Sequence, residues 1–239
     1  MTATEAHVVL VPGFWLGAWA WDDVVPHLQE KGVRTHPVTL PGLESAGDDR
    51  VGLTLDDHVA AVREVVAGLD GAVVLVGHSG AAAVVQSVVD ADPTRIRRVV
   101  YVDSGPLADG AAIMPELPAD VADLPLPTWA EFTERGESYE GIDETGLALF
   151  RERAVAHPAG VARSAVRLRD ERRKDVPVTV VCCTIPAGVL RDAIDAGEPW
   201  AAELLGADVE LVDMPTGHWP MFSRPFDLAE AILGAVRAR

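Results

Sequence analysis

Short runs of valine, leucine and isoleucine alternate along this chain with longer stretches of helical periodicity. No other feature restricts the available folds as much. The runs fall at residues 7–11, 34–40, 73–76, 98–102, 176–182 and 209–212. Most are near-continuous in branched apolar residues, as expected of strands buried on both faces of a parallel sheet. Between them, residues 18–31, 55–69, 79–91, 187–205 and 226–236 read as helices. In the second of these, Leu55, Val59, Val62, Val65 and Val66 recur at three- and four-residue spacing and form one apolar face. Thr54 precedes that helix as an N-cap, with Asp57 three residues on, a variant of the capping box. The pattern predicts an α/β fold built on an open, doubly wound, mostly parallel sheet of about six strands.

The alternation breaks between Leu107 and Lys174. Pro115, Pro118, Pro125 and Pro127 crowd the first part of this interval, which reads as loop. Residues 129–135, 144–156 and 158–172 then look helical, with no strand signal between them. The expected organisation is a core of residues 1–106 and 175–239, interrupted by a helical cap of residues 107–174. Ligand sites in open α/β sheets lie at the carboxyl edge of the strands, so the cap is expected to form a lid there.

Composition narrows the partners. The 239 residues carry 37 acidic against 20 basic side chains, a formal net charge of −17. Such a surface repels nucleic acid and anionic membrane, so neither is expected as a partner. No stretch approaches the ~20 apolar residues of a membrane helix. The segment MTATEAHVVL lacks a positive region ahead of its apolar run and does not read as a signal peptide, so a cytoplasmic protein is expected. The two cysteines, Cys182 and Cys183, are adjacent on a strand and point to opposite faces. They read as small buried hydrophobes, without the spacing of a zinc site; no metal or other cofactor is expected.

The chemistry-bearing stretch is LVGHSGAAAVV, residues 75–85, an apolar run meeting a small-residue helix at Gly77-His78-Ser79-Gly80-Ala81. Ser79 there is either a helix N-cap or a nucleophile on a sharp strand-to-helix turn, which lifts its hydroxyl clear of the backbone at a helix N-terminus. The residues flanking such a turn must be small. Gly77 and Ala81 are, although the esterase pattern G-x-S-x-G has glycine in the fifth position. A nucleophilic serine also needs a base, a group to orient that base, and donors for an oxyanion. His218, in MPTGHWPMFSRP between the last strand and the last helix, falls at the same sheet edge and is the candidate base. His78, next to the serine, is expected to point away from the site. In VLVPGFWLGAW, Gly13 lets the chain pass close to the turn, and the N–H groups of Phe14 and Gly80 are the candidate oxyanion donors.

Together VLVPGFWLGAWAWDDVVPHL, TLPGL, LTLDDHVAAV, LVGHSG and GHWPMFSRP resemble the α/β-hydrolase superfamily, most nearly the small esterase and hydroxynitrile-lyase branch that includes the plant methylesterases. The resemblance covers residues 7 to about 105 and about 176 to the end, and implies an α/β-hydrolase fold lacking the first two strands. Three departures stand out. The histidine of the family's usual His-Gly oxyanion loop is Pro12 here. The lysine that hydroxynitrile lyases carry beside the catalytic histidine is Trp219, which favours hydrolysis over lyase chemistry. The aspartate usually found after the strand at 176–182 is missing from CCTIPAG. Some superfamily members take their acid from the preceding strand, which here ends in Asp103 within VVYVDSGP. Asp103 is the favoured acid, with Asp192, Asp195 or no acid as the alternatives.

These readings converge on a cofactor-independent serine hydrolase that cleaves a small-molecule carboxylic ester or lactone through an acyl-enzyme. Trp15, Trp129, Phe132 and Trp219 are expected to line an apolar pocket between sheet and cap. A non-catalytic small-molecule binder on the same fold and a hydroxynitrile-lyase-like enzyme are the competing readings. The sequence leaves monomer and homodimer equally open.

Overall fold

The computed structural model of the protein describes residues 6–238. In chain order its strands are β1 (Ala6–Val11), β2 (Arg34–Pro37), β3 (Ala72–His78), β4 (Ile96–Val102), β5 (Asp123–Leu124), β6 (His157–Pro158), β7 (Val178–Cys182) and β8 (Val209–Asp213). Six of them form one sheet in the order β2-β1-β3-β4-β7-β8, and every pairing in it is parallel. The valine-rich runs thus become strands, and the central ones are buried on both faces, as a parallel sheet covered by helices requires. At one edge, β2 stops at Pro37, which has no N–H to continue the ladder.

The helices are α1 (Val25–Glu30), α2 (Leu55–Ala67), α3 (Ala81–Ala91), α4 (Trp129–Glu134), α5 (Glu144–Arg153), α6 (Ala159–Arg163), α7 (Ala187–Ala196), α8 (Pro220–Ser223) and α9 (Pro225–Arg237). Buried side chains of α9, β1 and β4 share one apolar layer with Trp15, Trp21 and Phe150. Those of α2, α3 and α7 fill a second layer on the opposite face. The cap on α2 forms as its sequence indicates: the Asp57 carboxylate accepts from the Thr54 N–H and hydroxyl, both at 2.8 Å. Both cysteines are free and buried. Among the described residues, no helix is long and apolar enough to cross a membrane.

Three expected helices are interrupted. Residues 18–31 divide into a 3-10 turn (Ala18–Trp21) and α1, which restarts with Pro26 in its first turn, where the missing N–H does no harm. Residues 187–205 break at Gly197, whose φ of 68° ends α7 before a second 3-10 turn, Pro199–Leu204. The expected helix at 158–172 is only α6. Beyond it, distant carboxylates take the backbone donors that would have extended the helix. Asp109 accepts from Leu168 N, and Asp90 from Arg169 and Asp170 N.

The segment between β4 and β7 contributes no strand to the main sheet, but it does contain the β5–β6 antiparallel pair, which sequence periodicity does not reveal. It is tied to the sheet edge at the β1 loop. Trp15 donates its indole N–H to Leu124 O at 3.0 Å, and its own carbonyl accepts from Val155 N at 3.1 Å.

Candidate active site

Only three non-glycine residues among those described have positive φ: Trp15 (66°), Ser79 (51°) and Asp103 (45°). Ser79 and Asp103 directly follow β3 and β4, and Trp15 lies in the loop after β1, the neighbour of β3 in the sheet. Side chains held in this region cost about 1–3 kcal/mol each and persist where the surroundings over-determine them. For Ser79 the surroundings are visible. Its N–H donates to Val102 O on the neighbouring strand at 3.1 Å, and its carbonyl accepts from Ala82 N at 2.9 Å to start α3. A Cβ at Gly77 would lie 2.8 Å from a Val85 methyl, and one at Gly80 would overlap the Phe14 ring. Ala81 stands where the esterase pattern has glycine, and its methyl is buried.

The structure brings Ser79, His218 and Asp103 into one hydrogen-bonded series. Ser79 Oγ lies 2.8 Å from His218 Nε2, and His218 Nδ1 lies 2.6 Å from Asp103 Oδ2. Asp192 and Asp195 are exposed on α7. The Asp103 side chain is 3% exposed and that of His218 15%, so the series runs from a dry end to a wetter one. Asp103 Oδ1 accepts from the backbone N–H of Cys183 (3.1 Å) and Thr184 (2.8 Å), and the Thr184 hydroxyl bridges both carboxylate oxygens. Burial works to raise the Asp103 carboxyl. The His218 hydrogen bond and charge, together with the Thr184 donors, outweigh it and hold the carboxyl below its ordinary value. With Nδ1–H committed to a carboxylate, His218 presents Nε2 as an acceptor toward the serine.

His218 is also fixed through its backbone, by two groups that sequence reasoning missed. Its N–H donates to Ser138 O at 2.6 Å, and its carbonyl is 2.7 Å from His78 Nε2. His78 therefore does not simply point away from the site. It is fully buried beneath the turn, and burial pushes its imidazole down to about 3, leaving a neutral ring whose Nε2–H donates. Gly217 donates to Glu140 O at 3.1 Å, and a Cβ there would lie 2.6–2.7 Å from backbone atoms of Ser138 and Glu140. Glycine is what allows this close approach. The partners of Thr184, Ser138 and His78 lie far off in sequence. Only the position of Thr184, where the resembling family usually has its acid, offered a signal.

Among the described residues, the backbone N–H groups of Phe14 and Gly80 have no hydrogen-bond acceptor. The Phe14 loop lies directly against the Ser79 turn, because a Cβ at Gly13 would sit 3.1 Å from Ser79 Cβ. The Phe14 ring stacks on His157 at 3.9 Å between centroids, fixing the loop from its other side.

The four aromatics expected to line a pocket pack on one another. Phe132 packs against Trp15 (5.5 Å), Trp129 (5.7 Å) and Trp219 (5.1 Å), and both Phe132 and Trp219 are wholly buried. The contacts are tilted and edge-to-face, with Phe132, Trp15 and Trp219 in the core and Trp129 partly buried against it. A cavity of about 540 Å³ lies elsewhere, between the ends of β4 and β7 and the α7 region, and none of the four lines it.

A serine on a strand-to-helix turn, facing a histidine after the last strand of a parallel sheet, is the arrangement of a hydrolase-type α/β scaffold. The chain matches the alpha/beta hydrolase family over residues 8–231 and belongs to it. Its relatives include lipase LipV of Mycobacterium tuberculosis, 26% identical over 95% of this chain and 92% of that one. A carbendazim hydrolyzing esterase of Nocardioides is 34% identical over 47% of this chain, and methylesterase 3 of Arabidopsis thaliana is 31% identical over 58%. The chain spans about half the length of these last two, 48% and 50%. Among solved structures, a methylesterase from Arabidopsis superposes with a TM-score of 0.75 at 19% identity, covering 97% of this chain and 98% of the other. An extracellular α/β-hydrolase from a Paenibacillus species gives 0.76 at 19%, over 98% and 100%. The fold is that of these two α/β structures.

Proposed function

We propose that the protein is a serine hydrolase of carboxylic esters or lactones. The observation that carries this reading is the unbroken series Ser79–His218–Asp103, at 2.8 and 2.6 Å, beside two unengaged backbone N–H groups. The relatives' names, which include esterases and a lipase, support the ester class. Ser79 Oγ attacks the ester carbonyl carbon as His218 Nε2 takes its proton. Phe14 and Gly80 N–H bind the resulting oxyanion. His218 then gives the proton to the leaving alkoxide, and an acyl-Ser79 remains. Water, deprotonated by the same nitrogen, attacks the acyl carbon; the bond to Ser79 Oγ breaks, His218 returns the proton to that oxygen, and the acid leaves. Asp103 holds the imidazole tautomer throughout and stabilises the imidazolium. In this reading residues 107–174 act as a cap on the core, held to the histidine loop through Ser138 and Glu140. With Trp219 beside the imidazole, no cation awaits a departing cyanide, so the lyase alternative lacks its stabiliser.

Hydrolysis of p-nitrophenyl acetate by wild type and Ser79→Ala tests this. Ser79→Ala is expected to lose turnover by roughly 10³-fold or more while keeping its circular dichroism and thermal midpoint. Activity that survives the substitution would remove Ser79 from the mechanism.

A further inference from the structure

The cavity of about 540 Å³ is within the usual size range of small-molecule sites, yet neither Ser79 nor His218 reaches it. Its walls are residues 103–108, 111 and 112, the end of β7, and α7 with the 3-10 turn that follows. Ile185 and Trp200, about half exposed, also line it. Residues 103–107 form one wall and are pinned to α3 by Gln86, which both donates to Leu107 O and accepts from Leu107 N at 2.8 Å.

The lining chemistry selects the ligand. No lysine, arginine or histidine lines the cavity, so nothing in it answers an anion, and the protein's net charge of −17 repels one. Its one charged side chain is Asp103, whose two oxygens are already occupied by His218, Cys183 N–H and the Thr184 donors. A ligand cation would have to displace them. The Ser104 hydroxyl is spent on Val102 O at 3.1 Å. The remainder is leucine, valine, alanine, isoleucine, proline and tryptophan surface, with the Cys182 thiol.

We propose that this cavity is a second small-molecule site, for an uncharged apolar ligand, and that its occupancy is felt at the Ser79 centre through Asp103. The connection is short. Asp103 is both cavity wall and partner of His218, and Thr184, which bridges its carboxylate, directly precedes Ile185 in the cavity wall. A ligand against residues 103–105 and Ile185 shifts the geometry that orients the imidazole, so it alters kcat without occupying the ester's place. The binding half stands apart from the hydrolytic reading; the coupling half rests on it.

Titration with N-phenyl-1-naphthylamine, a neutral probe whose emission rises in apolar surroundings, tests both halves. Saturable binding of one probe per chain is expected. Ala111→Trp, which fills the cavity, and Ile185→Glu, which places a charge in its half-exposed wall, are each expected to weaken it about tenfold or more. At saturation the probe changes kcat for p-nitrophenyl acetate and leaves KM unchanged. Absence of saturable binding, or equal binding by both variants, overturns the site. Competition with the ester overturns it too, since the probe would then lie at Ser79. Binding that leaves kcat unchanged overturns the coupling. Ser79→Ala separates the two readings: it keeps probe binding, and turnover that persists in it defeats the hydrolytic reading alone.

Discussion

At the scale of single residues, the orienting carboxylate carries the sharpest prediction. Asp103→Asn keeps the size of the side chain but removes the charge that stabilises the imidazolium, and its amide no longer selects the same tautomer. Turnover is expected to fall about 10⁴-fold, with KM nearly unchanged. Thr184→Val removes one donor while the two backbone N–H groups remain. A hydrogen bond to a charged group contributes about 1.5–3 kcal/mol, so kcat/KM should fall roughly ten- to a hundredfold. Ser79 and His218 were legible in the sequence, because a strand-turn-helix junction and a loop after the last strand fix where both must lie. Asp103 was legible as a strand end near both. Its supports were not, since the Thr184 contact closes 81 residues of chain and the His78 contact 140. No local pattern encodes such closures.

At the scale of elements, each apolar run overlaps a strand, because a strand buried on both faces, as the central ones are, leaves a compositional trace. The helix ends follow the sequence less closely. α6 ends at an extended Ser164, and beyond it Val166 N donates to Ala111 O while Asp90, at 8% exposure, accepts the Arg169 and Asp170 N–H groups from the far end of α3. The same carboxylate faces Arg173 at 3.6 Å, and Arg173 pairs with Glu203 at 2.9 Å. Arg173→Met would leave buried Asp90 without its cation and Glu203 with Lys174 alone, at 4.0 Å. A loss of about 3–5 kcal/mol is expected, read as a lower urea midpoint with an unchanged m-value. Gly217→Ala acts at the other junction. Its methyl cannot fit against the Ser138 and Glu140 backbone, so the histidine loop and the 138–140 segment must separate. A cost of about 1–3 kcal/mol is expected, with kcat falling more than KM rises, because His218 N–H is released from Ser138 O.

At the scale of the whole molecule, the buried histidines set the acid limit of the fold. Burial pushes His58 down to about 4 against its hydrogen bond to Pro41 O, and it pushes His78 to about 3; His157 lies well below its ordinary 6.5. Each is neutral in the folded chain and protonates more readily when unfolded. Their stabilisation is therefore complete above pH 6.5 and declines as pH falls from there toward the folded values. Between pH 7 and pH 5, His58 and His78 each forfeit about 2 kcal/mol, and His157 adds a loss of the same sign. Asp103 behaves in the opposite order. Its carboxyl is lowered in the fold, so its contribution persists above the ordinary 3.8 and disappears only as pH falls through the folded value. Urea unfolding should thus show stability dropping by about 4 kcal/mol or more between pH 7 and pH 5. That is a large share of the 5–15 kcal/mol typical of a domain. Activity lost at pH 5 should then follow cooperative unfolding, seen in the near-ultraviolet circular dichroism, and His58→Leu should flatten the slope. A stability that stays level over this range would mean that these imidazoles take up protons within the fold as readily as in the unfolded chain.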